Sequence, residues 1–422
     1  MYRFVTAIVL VLKKIVPEPV VALLRTPYHF LVTFLAALSY GFPGRRMTVI
    51  GVTGTKGKSS VSEMVYTALS GAGHKTAVAS TIRFAIGEES EPNLFKMTMP
   101  GRGFIQHFLA RAYKAGCTHV VVEITSESTR NFRHMFLFLD ALVFTNLQKE
   151  HIESHGSYEK YAAAKLKIGK ALGASSKRPR AIVANGDDSA SAPYLVLPVE
   201  ERLPFSYKDA SDISLTPGHA SFTYKEVRFD LKLPGSFSIM NALAVIGVTE
   251  FLKIPLAKTA AALAGLERIP GRTERIIEGQ SFTAVVDYAH TPDSLSALYA
   301  AYPGRKICVL GNTGGGRDQW KRPLMGKIAD DACAEVIFTD EDPYDEAPEQ
   351  IVAMMSRDMK RPPRVIMDRR EAIRTALSLA GEGDSVLITG KGTDPFIMGK
   401  NGSKIPWSDA QVVREELKRL VS

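Results

Sequence analysis

The segment Gly54-Thr55-Lys56-Gly57-Lys58-Ser59-Ser60 combines glycines, a lysine and a hydroxyl residue in a spacing suited to phosphate binding. Glycines let backbone N–H groups close around phosphate oxygens, and a following helix adds the positive end of its dipole. Lys58 would then place a charge on the outer phosphates, and Ser59 would offer its hydroxyl to Mg²⁺. The common phosphate loop has a glycine where this chain has Val52, so a structural glycine turn is the alternative interpretation.

The elements around this segment favour phosphate binding. An apolar run over 47–52 predicts a strand before the glycines, and the apolar spacing after Ser60 predicts a helix. Further strand-like runs alternate with helical patterns, the strands at 119–125, 141–147 and 181–184 and the helices at 103–115 and 157–172. That alternation predicts a parallel sheet covered by helices.

A second α/β pattern follows the break at Pro270-Gly271. Before the break, residues 204–234 alternate in a way that predicts a short β insert, and 238–252 and 256–266 predict helices. After it, we expect strands at 283–287, 306–310, 335–339 and 385–389 and helices at 292–301, 322–332, 347–357 and 370–380. Each of these strands ends in a polar loop, and ligands of open α/β sheets bind at the carboxyl ends of strands.

The composition is that of an ordinary globular protein, with 45% apolar and 23% charged residues among 422. Cys117, Cys308 and Cys333 lack metal-ligand spacing, so we interpret them as core residues in a reducing compartment. The net charge is +9, but no basic run or stacking motif supports nucleic-acid binding. An anionic small substrate or a membrane surface accounts for the charge equally well.

The first 46 residues are apolar and basic, with a net charge of +5. The apolar runs at 4–12 and 30–38 are each shorter than the roughly 20 residues of a transmembrane helix. They predict a helical hairpin, which either lies on a membrane surface or packs on the next domain. A cleaved signal peptide is disfavoured, because no small-residue cleavage site precedes a long polar stretch.

Three further residues could work beside the glycine segment. Glu123 ends a predicted strand and could ligate Mg²⁺, although a capping or solvated glutamate is the alternative. His151 lies just past another strand and, with His155 close by, could ligate a second divalent ion. Lys165 falls in a helical pattern, and the spacing alone indicates only an exposed lysine.

Seven groups of residues resemble, in order, the motifs of the Mur ligases, and those of the MurE-type UDP-N-acetylmuramyl-tripeptide synthetases most of all. The groups are Thr53–Ser59, Thr145 to Lys165, Pro234 to Ala242, Pro270–Glu274, Asp287–Asp293, Gly315 to Gly326, and Gly390–Gly392. The resemblance covers about residues 47–422. The resemblance implies a central P-loop ATPase domain at 47–268 and a Rossmann-like α/β domain at 269–422. The short helical segment 1–46 would precede them.

The resemblance also implies an ATP-dependent amide ligase of peptidoglycan-precursor synthesis. ATP would phosphorylate a peptide carboxylate, and an amino acid's amine would attack the acyl phosphate. Lys58 would contact the phosphates, while Ser59 and Glu123 would hold one Mg²⁺ and His151 would help hold a second. Lys165 is similar to the family lysine that CO₂ converts to a carbamate. Closure of the C-terminal domain would exclude water.

The residues implied to contact nucleotide and substrate are spread over the chain. The nucleotide set comprises Gly54, Thr55, Lys56, Gly57, Lys58, Ser59, Ser60, Asn146, Asn241, Arg272, Asp287, Tyr288 and His290. The substrate set comprises Thr98, Thr125, Ser126, Arg317, Asp342, Tyr344, Lys391 and Asp394.

The choice of amino acid is expected to depend on the C-terminal loops. Family members that add meso-diaminopimelate resemble one another in Asp-Asn-Pro-Arg, where this chain has Glu341-Asp342-Pro343-Tyr344. Loss of the arginine removes a bidentate donor for a distal carboxylate, and Asp342 and Asp394 add negative charge. We therefore expect L-lysine to be favoured over meso-diaminopimelate, with Arg317 holding the α-carboxylate.

Two departures from the family pattern leave the acceptor open. Family members carry an N-terminal domain of about a hundred residues that holds UDP, the size of an independent domain, whereas 46 residues precede the ATPase strand here. Glu127 replaces a family histidine. The alternatives are a related ligase acting on a lipid-linked, pseudomurein or polyglutamate-type acceptor, and a catalytically silent nucleotide-binding partner. We expect a cytoplasmic monomer, in contact with the inner face of the membrane through residues 1–46.

Overall fold

This computed structural model describes residues 18–101, 103–150, 155–316 and 318–421, with side chains from residue 26 onward. The chain forms two compact units. The described residues of Met1–Leu147, Glu159–Phe205 and Ala244–Pro255 form the first, and those of Gln148–Tyr158, Ser206–Leu243 and Leu256–Ser422 form the second. The β insert thus belongs to the same unit as the C-terminal sheet. The domain boundaries that the sequence predicts after residues 46 and 268 stay a prediction.

An eight-stranded sheet organises the first unit, in the order β4-β3-β2-β5-β1-β6-β7-β8. Neighbours from β2 to β8 are parallel, whereas β3 and β4 are antiparallel additions at one edge. The strands are β1 (Thr48–Thr53), β2 (Thr76–Ala79), β3 (Arg83–Ile86), β4 (Glu89–Pro92), β5 (His119–Glu123), β6 (Ala141–Phe144), β7 (Ala181–Asn185) and β8 (Glu201–Phe205). The helices are α1 (Glu18–Ser39), α2 (Lys58–Gly71), α3 (Phe104–Lys114), α4 (Glu127–Arg130), α5 (Tyr158–Gly173) and α6 (Ala192–Leu195).

A six-stranded sheet organises the second unit, in the order β12-β13-β17-β14-β15-β16, with only β12 antiparallel. Its strands are β12 (Glu274–Ile276), β13 (Thr283–Asp287), β14 (Lys306–Leu310), β15 (Glu335–Phe338), β16 (Arg364–Val365) and β17 (Ser385–Thr389). The β insert is the antiparallel sheet β9 (Ser211–Thr216), β10 (His219–Tyr224) and β11 (Val227–Leu231), and β18 (Phe396–Met398) pairs with β19 (Lys404–Pro406). The helices from residue 236 onward are α7 (Ser236–Phe251), α8 (Leu256–Ala264), α9 (Pro292–Ala301), α10 (Lys321–Ala332), α11 (Pro348–Ser356), α12 (Arg369–Ser378) and α13 (Asp409–Val421).

The predicted α/β class with large parallel sheets is confirmed. Because β13, β14, β15 and β17 run parallel, the four polar loops that follow them lie along one edge of their sheet. The sequence predicts parallel strands here because their apolar residues are continuous and do not alternate with polar ones, as in strands that are buried on both faces.

The N-terminal segment contains a longer helix than the sequence predicts. Helix α1 covers the predicted helix at 30–38 and begins twelve residues earlier, at Glu18. The other predicted helix, at 4–12, lies outside the described residues, so the hairpin stays a prediction. Across the described part of the chain, no helix has the length and apolar character needed to span a bilayer.

The cysteine interpretation is wrong in one respect. All three cysteines are buried as expected, but Cys308 of β14 and Cys333 after α10 form a disulfide. Only Cys117 is a thiol. No sequence pattern predicts this pairing, because the fold brings the two Cα atoms to 6.2 Å across 25 residues of sequence.

Candidate active site

The glycine segment connects the central strand β1 to helix α2, as the sequence predicts. Gly54 has φ 146°, and a Cβ there would collide with Thr145 Oγ1. Gly57 has φ 80° and immediately precedes α2. Both positions therefore require glycine. The first N–H groups of α2 have no carbonyl within the helix to bond, which is the arrangement that binds anions.

Two residues at the end of β6 fix the glycine segment in place. Asn146 accepts the N–H of Thr55 at its carbonyl (2.9 Å) and the N–H of Lys56 at its side-chain oxygen (2.8 Å). Thr145 Oγ1 donates to the carbonyl of Lys56 at 2.6 Å. The side chain of Asn146 thus shapes the loop that would hold the phosphates.

Helix α5 brings Lys165 to the same loop. Its Nζ donates to the carbonyl of Gly54 at 2.5 Å, and the side chain is almost fully buried. One turn earlier, Tyr161 Oη lies 3.0 Å from Thr55 Oγ1, and its ring centroid is 4.9 Å from the lysine Nζ. The expectation from spacing alone, an exposed lysine, is wrong because Lys165 shares the buried stripe of α5 with Tyr161 and Ile168.

Lys58 and Ser59 occupy the first two positions of α2. Lys58 Nζ donates to the carbonyl of Thr55 at 2.9 Å, so the side chain folds back over the loop. Ser59 is buried. Ser60 follows on the same turn and is half-buried.

Glu123 ends β5 as a buried carboxylate, and a single residue holds both of its oxygens. The Thr81 N–H donates to Oε2 at 2.8 Å, and Thr81 Oγ1 donates to Oε1 at 3.0 Å. Thr81 Oγ1 also lies 2.7 Å from Thr98 Oγ1, in the predicted substrate loop. Sequence reasoning missed Thr81, because it stands in a short turn without a motif of its own.

In the second unit, the loops after β13 and β17 approach closely. The Arg272 guanidinium lies 4.3 Å from the Tyr288 ring centroid. A Cβ at Gly392 would press on Tyr288 Cβ, and one at Gly271 on the backbone of Thr393. The Asp394 carboxylate, together with burial, raises the pKa of Tyr288 well above its ordinary value. Tyr288 therefore stays protonated at neutral pH.

Two of the predicted nucleotide contacts make internal hydrogen bonds. Asp287 accepts the N–H of Thr273 and the N–H of Ala289, each at 2.6 Å, and so fixes the turn after β13. His290 Nε2 lies 2.9 Å from Glu150 Oε1, and its Nδ1 lies 2.7 Å from the carbonyl of Tyr288. Glu150 is a second residue that the sequence did not single out.

Lys391 and Asp342 form a buried ion pair. Lys391 Nζ donates to Asp342 Oδ1 at 2.8 Å and to the carbonyl of Phe396 at 2.6 Å, while Asp394 Oδ2 lies 3.6 Å away. Asp342 Oδ1 also accepts the N–H of Met398. The lysine therefore balances the charge of Asp342, which the sequence argument had counted as available to a substrate amine.

Glu341, next to this pair, is a buried carboxylate at the end of the loop after β15. Thr313 Oγ1 donates to its Oε1 at 2.9 Å, and within the described part of the chain no group hydrogen-bonds its Oε2. Burial, reinforced by Asp342, raises the pKa of Glu341. Its neighbour Tyr344 is half-buried with φ 53°, and its N–H donates to the carbonyl of Met398.

Two stretches of the chain match models of known domains. Residues 52–249 match the Mur ligase middle domain, and residues 271–392 match the Mur ligase glutamate ligase domain. The chain belongs to the Mur ligase family. Mur ligases are ATP-dependent enzymes that form C–N bonds, and this chain is a ligase of that class.

Named relatives among the Mur ligases support a coarse assignment to peptidoglycan biosynthesis. The UDP-N-acetylmuramoyl-L-alanyl-D-glutamate–2,6-diaminopimelate ligase of Caldanaerobacter subterraneus is 36% identical over 400 residues, covering 91% of this chain and 80% of the relative. The UDP-N-acetylmuramyl-tripeptide synthetase of a Roseiflexus species is 35% identical over 418 residues, covering 92% and 81%.

Solved structures of Mur ligases and of a related enzyme have the same fold. A UDP-N-acetylmuramoyl-L-alanyl-D-glutamate–2,6-diaminopimelate ligase superposes with a TM-score of 0.60 at 29% identity, over 89% of this chain and 79% of the other. The folylpolyglutamate synthase of Mycobacterium tuberculosis superposes with a TM-score of 0.69 at 16% identity, over 86% and 93%. The second likeness concerns the fold alone.

Mur ligases use ATP and Mg²⁺, and the donors near the glycine segment suit that metal. Ser59 offers a hydroxyl and Glu123 a carboxylate, the hard oxygen ligands that Mg²⁺ takes. Neither provides a complete site, and the described residues contain no group of three His, Cys, Asp or Glu side chains that could hold a metal. His151 lies outside the described residues, as does Arg317, the predicted holder of the α-carboxylate.

The remaining predicted contacts are placed as follows. The carbonyls of Thr125 and Ser126 accept the hydroxyls of Ser128 and Thr129 at the start of α4. Asn241 is half-buried on α7 and belongs to the second unit. The adenine contact implied for Asn241 stays a prediction.

Proposed function

We propose that this Mur ligase joins a diamino acid to a muramyl-L-alanyl-D-glutamate peptide through an acyl phosphate. A carboxylate oxygen of the peptide forms a bond to the γ-phosphorus of ATP, and ADP leaves. The amine nitrogen then bonds to the acyl carbon, phosphate leaves, and the nitrogen loses a proton. The observation that carries the proposal is the glycine loop between β1 and α2 with Lys165 held against it at 2.5 Å.

The chain's own residues divide this work. The N-terminus of α2 and Lys58 bind and orient the phosphates, so that transfer needs little movement of charge. Bound Mg²⁺ neutralises phosphate oxygens during transfer, and Ser59 and Glu123 would hold it. We also propose a second divalent ion, which His151 would help hold. Arg272, Tyr288 and His290 are the proposed nucleotide contacts of the second unit.

An assay of ADP release tests the core of the proposal. ADP formation is expected only when ATP, Mg²⁺, a diamino acid and a muramyl dipeptide are all present. Mass spectrometry of the product, with UDP-linked and lipid-linked acceptors offered separately, identifies the amide and the carrier. ATP turnover without amide formation would contradict the ligase assignment for every acceptor tried.

We propose further that Lys165 acts as a carbamate. The Lys165 ammonium would lose one proton to become an amine, and the amine nitrogen would attack CO₂ and lose a second proton. These steps convert a buried cation into an anion suited to a metal-rich site. Lys165→Ala is expected to abolish turnover, and short carboxylates such as formate are expected to restore part of it. Lys170→Ala, an exposed lysine on the same helix, is the matched control. Full activity of Lys165→Ala without added carboxylate would refute the carbamate.

For the amino acid we propose L-lysine over meso-diaminopimelate. The support is Tyr344, which stands where relatives that add diaminopimelate resemble one another in having an arginine. The charge argument gives no further support, because Lys391 pairs with Asp342 at 2.8 Å and also lies 3.6 Å from Asp394. Several relatives are named as 2,6-diaminopimelate ligases, so the two amino acids must be compared directly.

Competition between the two amino acids measures this preference. L-Lysine is expected to have the higher kcat/KM in the unaltered enzyme, and Tyr344→Arg is expected to move the ratio toward diaminopimelate. Tyr344→Phe keeps the ring and serves as the control for a change of residue. If the unaltered enzyme has the higher kcat/KM with diaminopimelate, the proposed preference for L-lysine is wrong.

We also propose that the enzyme works as a monomer on the cytoplasmic side, in peripheral contact with the membrane. The support is the apolar and basic character of the first 46 residues. Related acceptors, including a lipid-linked peptide, are separated by the product assay above.

A further inference from the structure

Helix α1 presents apolar side chains to solvent. Phe30, Leu31, Leu35 and Leu38 are each 40–52% exposed, while Thr33 and Ala37 of the same helix are buried. The chain has no Asp, Glu, Lys or Arg anywhere in residues 26–44. A helix at the surface of a globular protein normally turns polar residues outward, and one that is apolar all round is normally buried. We call the four exposed residues the apolar face.

Phenylalanine rings fix the orientation of this helix. Phe30 contacts Phe132 (centroids 5.7 Å apart) and Phe34 contacts Phe136 (5.6 Å). Phe132, Phe136 and Phe138 all have left-handed backbones, with φ of 54°, 60° and 54°. Bulky residues rarely adopt that conformation, so the segment accepts strain to hold Phe132 and Phe136 against α1 and Phe138 against Phe42. These ring contacts hold α1 in the orientation that exposes the apolar face.

The exposed apolar surface continues toward the predicted substrate loop. Arg133, next to Phe132, donates to Met97 Sδ at 2.9 Å and to the carbonyl of Met99 at 2.6 Å. Leu94, Phe95 and Met97 are 58%, 54% and 44% exposed, and Thr98 follows directly. A surface that met the apolar face would thus lie close to the substrate loop.

A basic groove of about 560 Å³ lies just past the end of α1. Arg45, Arg46, Lys177 and Arg178 line it together with one carboxylate, Asp140. Asp140 pairs with Lys177 at 2.6 Å and Arg178 pairs with Glu200 at 3.1 Å. The positive charge that remains comes mainly from Arg45 and Arg46.

We propose that the apolar face and the basic groove together dock on an anionic phospholipid bilayer. Leucine and phenylalanine side chains would enter the boundary of the acyl chains, and Arg45 and Arg46 would meet lipid phosphates. Charge complementarity selects this occupant. A second copy of the chain, or the run 4–12 with its neighbours Lys13 and Lys14, would bring further positive charge to a positive site.

Flotation of the full chain with phosphatidylcholine vesicles, with and without phosphatidylglycerol, tests the proposal. The unaltered chain is expected to float with the anionic vesicles. Leu31→Gln/Leu35→Gln/Leu38→Gln is expected to lower the partition coefficient about tenfold or more. The matched control, Val196→Gln/Leu215→Gln/Ile277→Gln, alters three aliphatic residues that are 47–78% exposed elsewhere and is expected to bind as the unaltered chain does.

The charge is tested separately. Arg45→Gln/Arg46→Gln is expected to lower binding to anionic vesicles about tenfold and to flatten its salt dependence, without changing binding to neutral vesicles. Lys208→Gln/Lys258→Gln removes two exposed charges elsewhere as the control. Unfolding midpoints equal to that of the unaltered chain establish that each variant is folded.

Three results would overturn the docking surface. They are failure of the unaltered chain to float, equal partition of the leucine variant and its control, and a vesicle-free dimer that the leucine variant converts to a monomer. Amide formation with a soluble acceptor is measured in parallel. The docking surface rests on the membrane contact proposed above. Vesicle binding without amide formation therefore contradicts the proposed ligase reaction only, and amide formation without vesicle binding contradicts the docking surface and the membrane contact only.

Discussion

The carboxylate of Glu123 is held at both oxygens by Thr81, at 2.8 and 3.0 Å. Residues that orient a metal ligand typically change metal affinity 10–100-fold when they are replaced. Thr81 also reaches Thr98, so one hydroxyl connects the proposed metal ligand to the substrate loop. We therefore propose Thr81 as a positioning residue of the proposed metal site.

Thr81→Val tests this role. The variant loses the hydroxyl that donates to Glu123 but keeps the N–H, so we expect the Mg²⁺-dependent part of ATP affinity to fall about tenfold. Calorimetric titration with ATP, in the presence and absence of Mg²⁺, measures it. Thr98→Val removes only the second contact and is the control. Identical Mg²⁺ dependence in Thr81→Val and Thr98→Val would contradict a positioning role.

Single residues differ in how far the sequence predicts them. Gly54 and Gly57 are predictable because backbone conformation restricts those positions to glycine. Lys165 is buried because it lies on the side of α5 that faces the glycine loop. Predicting this burial requires the position of that loop as well as the helical period. The pairing of Lys391 with Asp342 joins residues 49 apart, and no local pattern encodes it.

At the scale of elements, the loop between β1 and α2 depends on the end of β6. Asn146 alone makes two side-chain hydrogen bonds and one backbone hydrogen bond to it, and the Thr145 hydroxyl makes another. The glycines allow the backbone conformations that the loop needs, and the hydrogen bonds from the residues after β6 hold the loop in one of them. Replacing Asn146 tests the contribution of those hydrogen bonds.

Asn146→Ala is expected to weaken ATP binding by about 1–3 kcal/mol, because it leaves the N–H of Lys56 without its side-chain acceptor. Asn146→Asp keeps an acceptor for the N–H of Lys56, but it loses the amide that donates to the carbonyl of Lys56 at 3.2 Å and adds a negative charge beside the phosphates. We therefore expect Asn146→Asp to weaken ATP binding as well. Both are read from nucleotide titrations. If Asn146→Ala binds ATP as tightly as the unaltered enzyme, the loop does not need this support.

The sequence predicts most long elements of both sheets to within a few residues, because buried parallel strands and amphipathic helices leave strong patterns. It misses two parallel strands of the first sheet, because β2 has only four residues and most residues of β8 are exposed or half-buried. It does not predict β12, β16 or β18, since two or three residues hold less than one clear period. The antiparallel pair β3 and β4 is missed for a different reason. Its outer strand, Glu89–Pro92, is entirely exposed and polar.

For the molecule as a whole, a buried ion pair ties α13 to the second unit. Arg369 and Asp409 are both almost fully buried, with Arg369 Nη2 2.7 Å from Asp409 Oδ2, and Trp407 Nε1 also donates to Asp409. Asp409→Ala leaves an uncompensated buried guanidinium, so we expect a loss of about 3–5 kcal/mol in the free energy of unfolding.

Denaturant titration of Asp409→Ala measures that loss. The control is Asp358→Ala, which breaks the exposed pair with Arg357 and is expected to leave the midpoint unchanged. Equal losses of unfolding free energy in the two variants would mean that burial does not make the Arg369–Asp409 pair more important for stability than the exposed pair.

Two buried histidines give the first unit a pH dependence. Burial lowers the pKa of His134 to about 4, and burial together with His74 lowers the pKa of His119 to about 4, from 6.5. Between pH 6.5 and about 4 the unfolded chain binds protons that the folded chain does not. Their contribution to stability is therefore complete above pH 6.5 and is lost as the pH falls through this range.

His119→Gln/His134→Gln is expected to flatten the fall in unfolding free energy between pH 6.5 and 4. Unfolding titrations at several pH values measure the slope, and His107→Gln provides a control at a histidine that is exposed on α3. A slope equal to that of the unaltered enzyme would show that neither imidazole is protected in the folded state.

The bridge between Cys308 and Cys333 encloses the entire loop after β14. A cytoplasm rich in glutathione keeps most such pairs as thiols, whereas air oxidation during purification joins them. Two preparations of one batch could therefore differ in whether the two ends of this glycine-rich loop are tethered. Thiol titration beside every turnover measurement becomes part of defining the sample, and reductant becomes a variable of the assay.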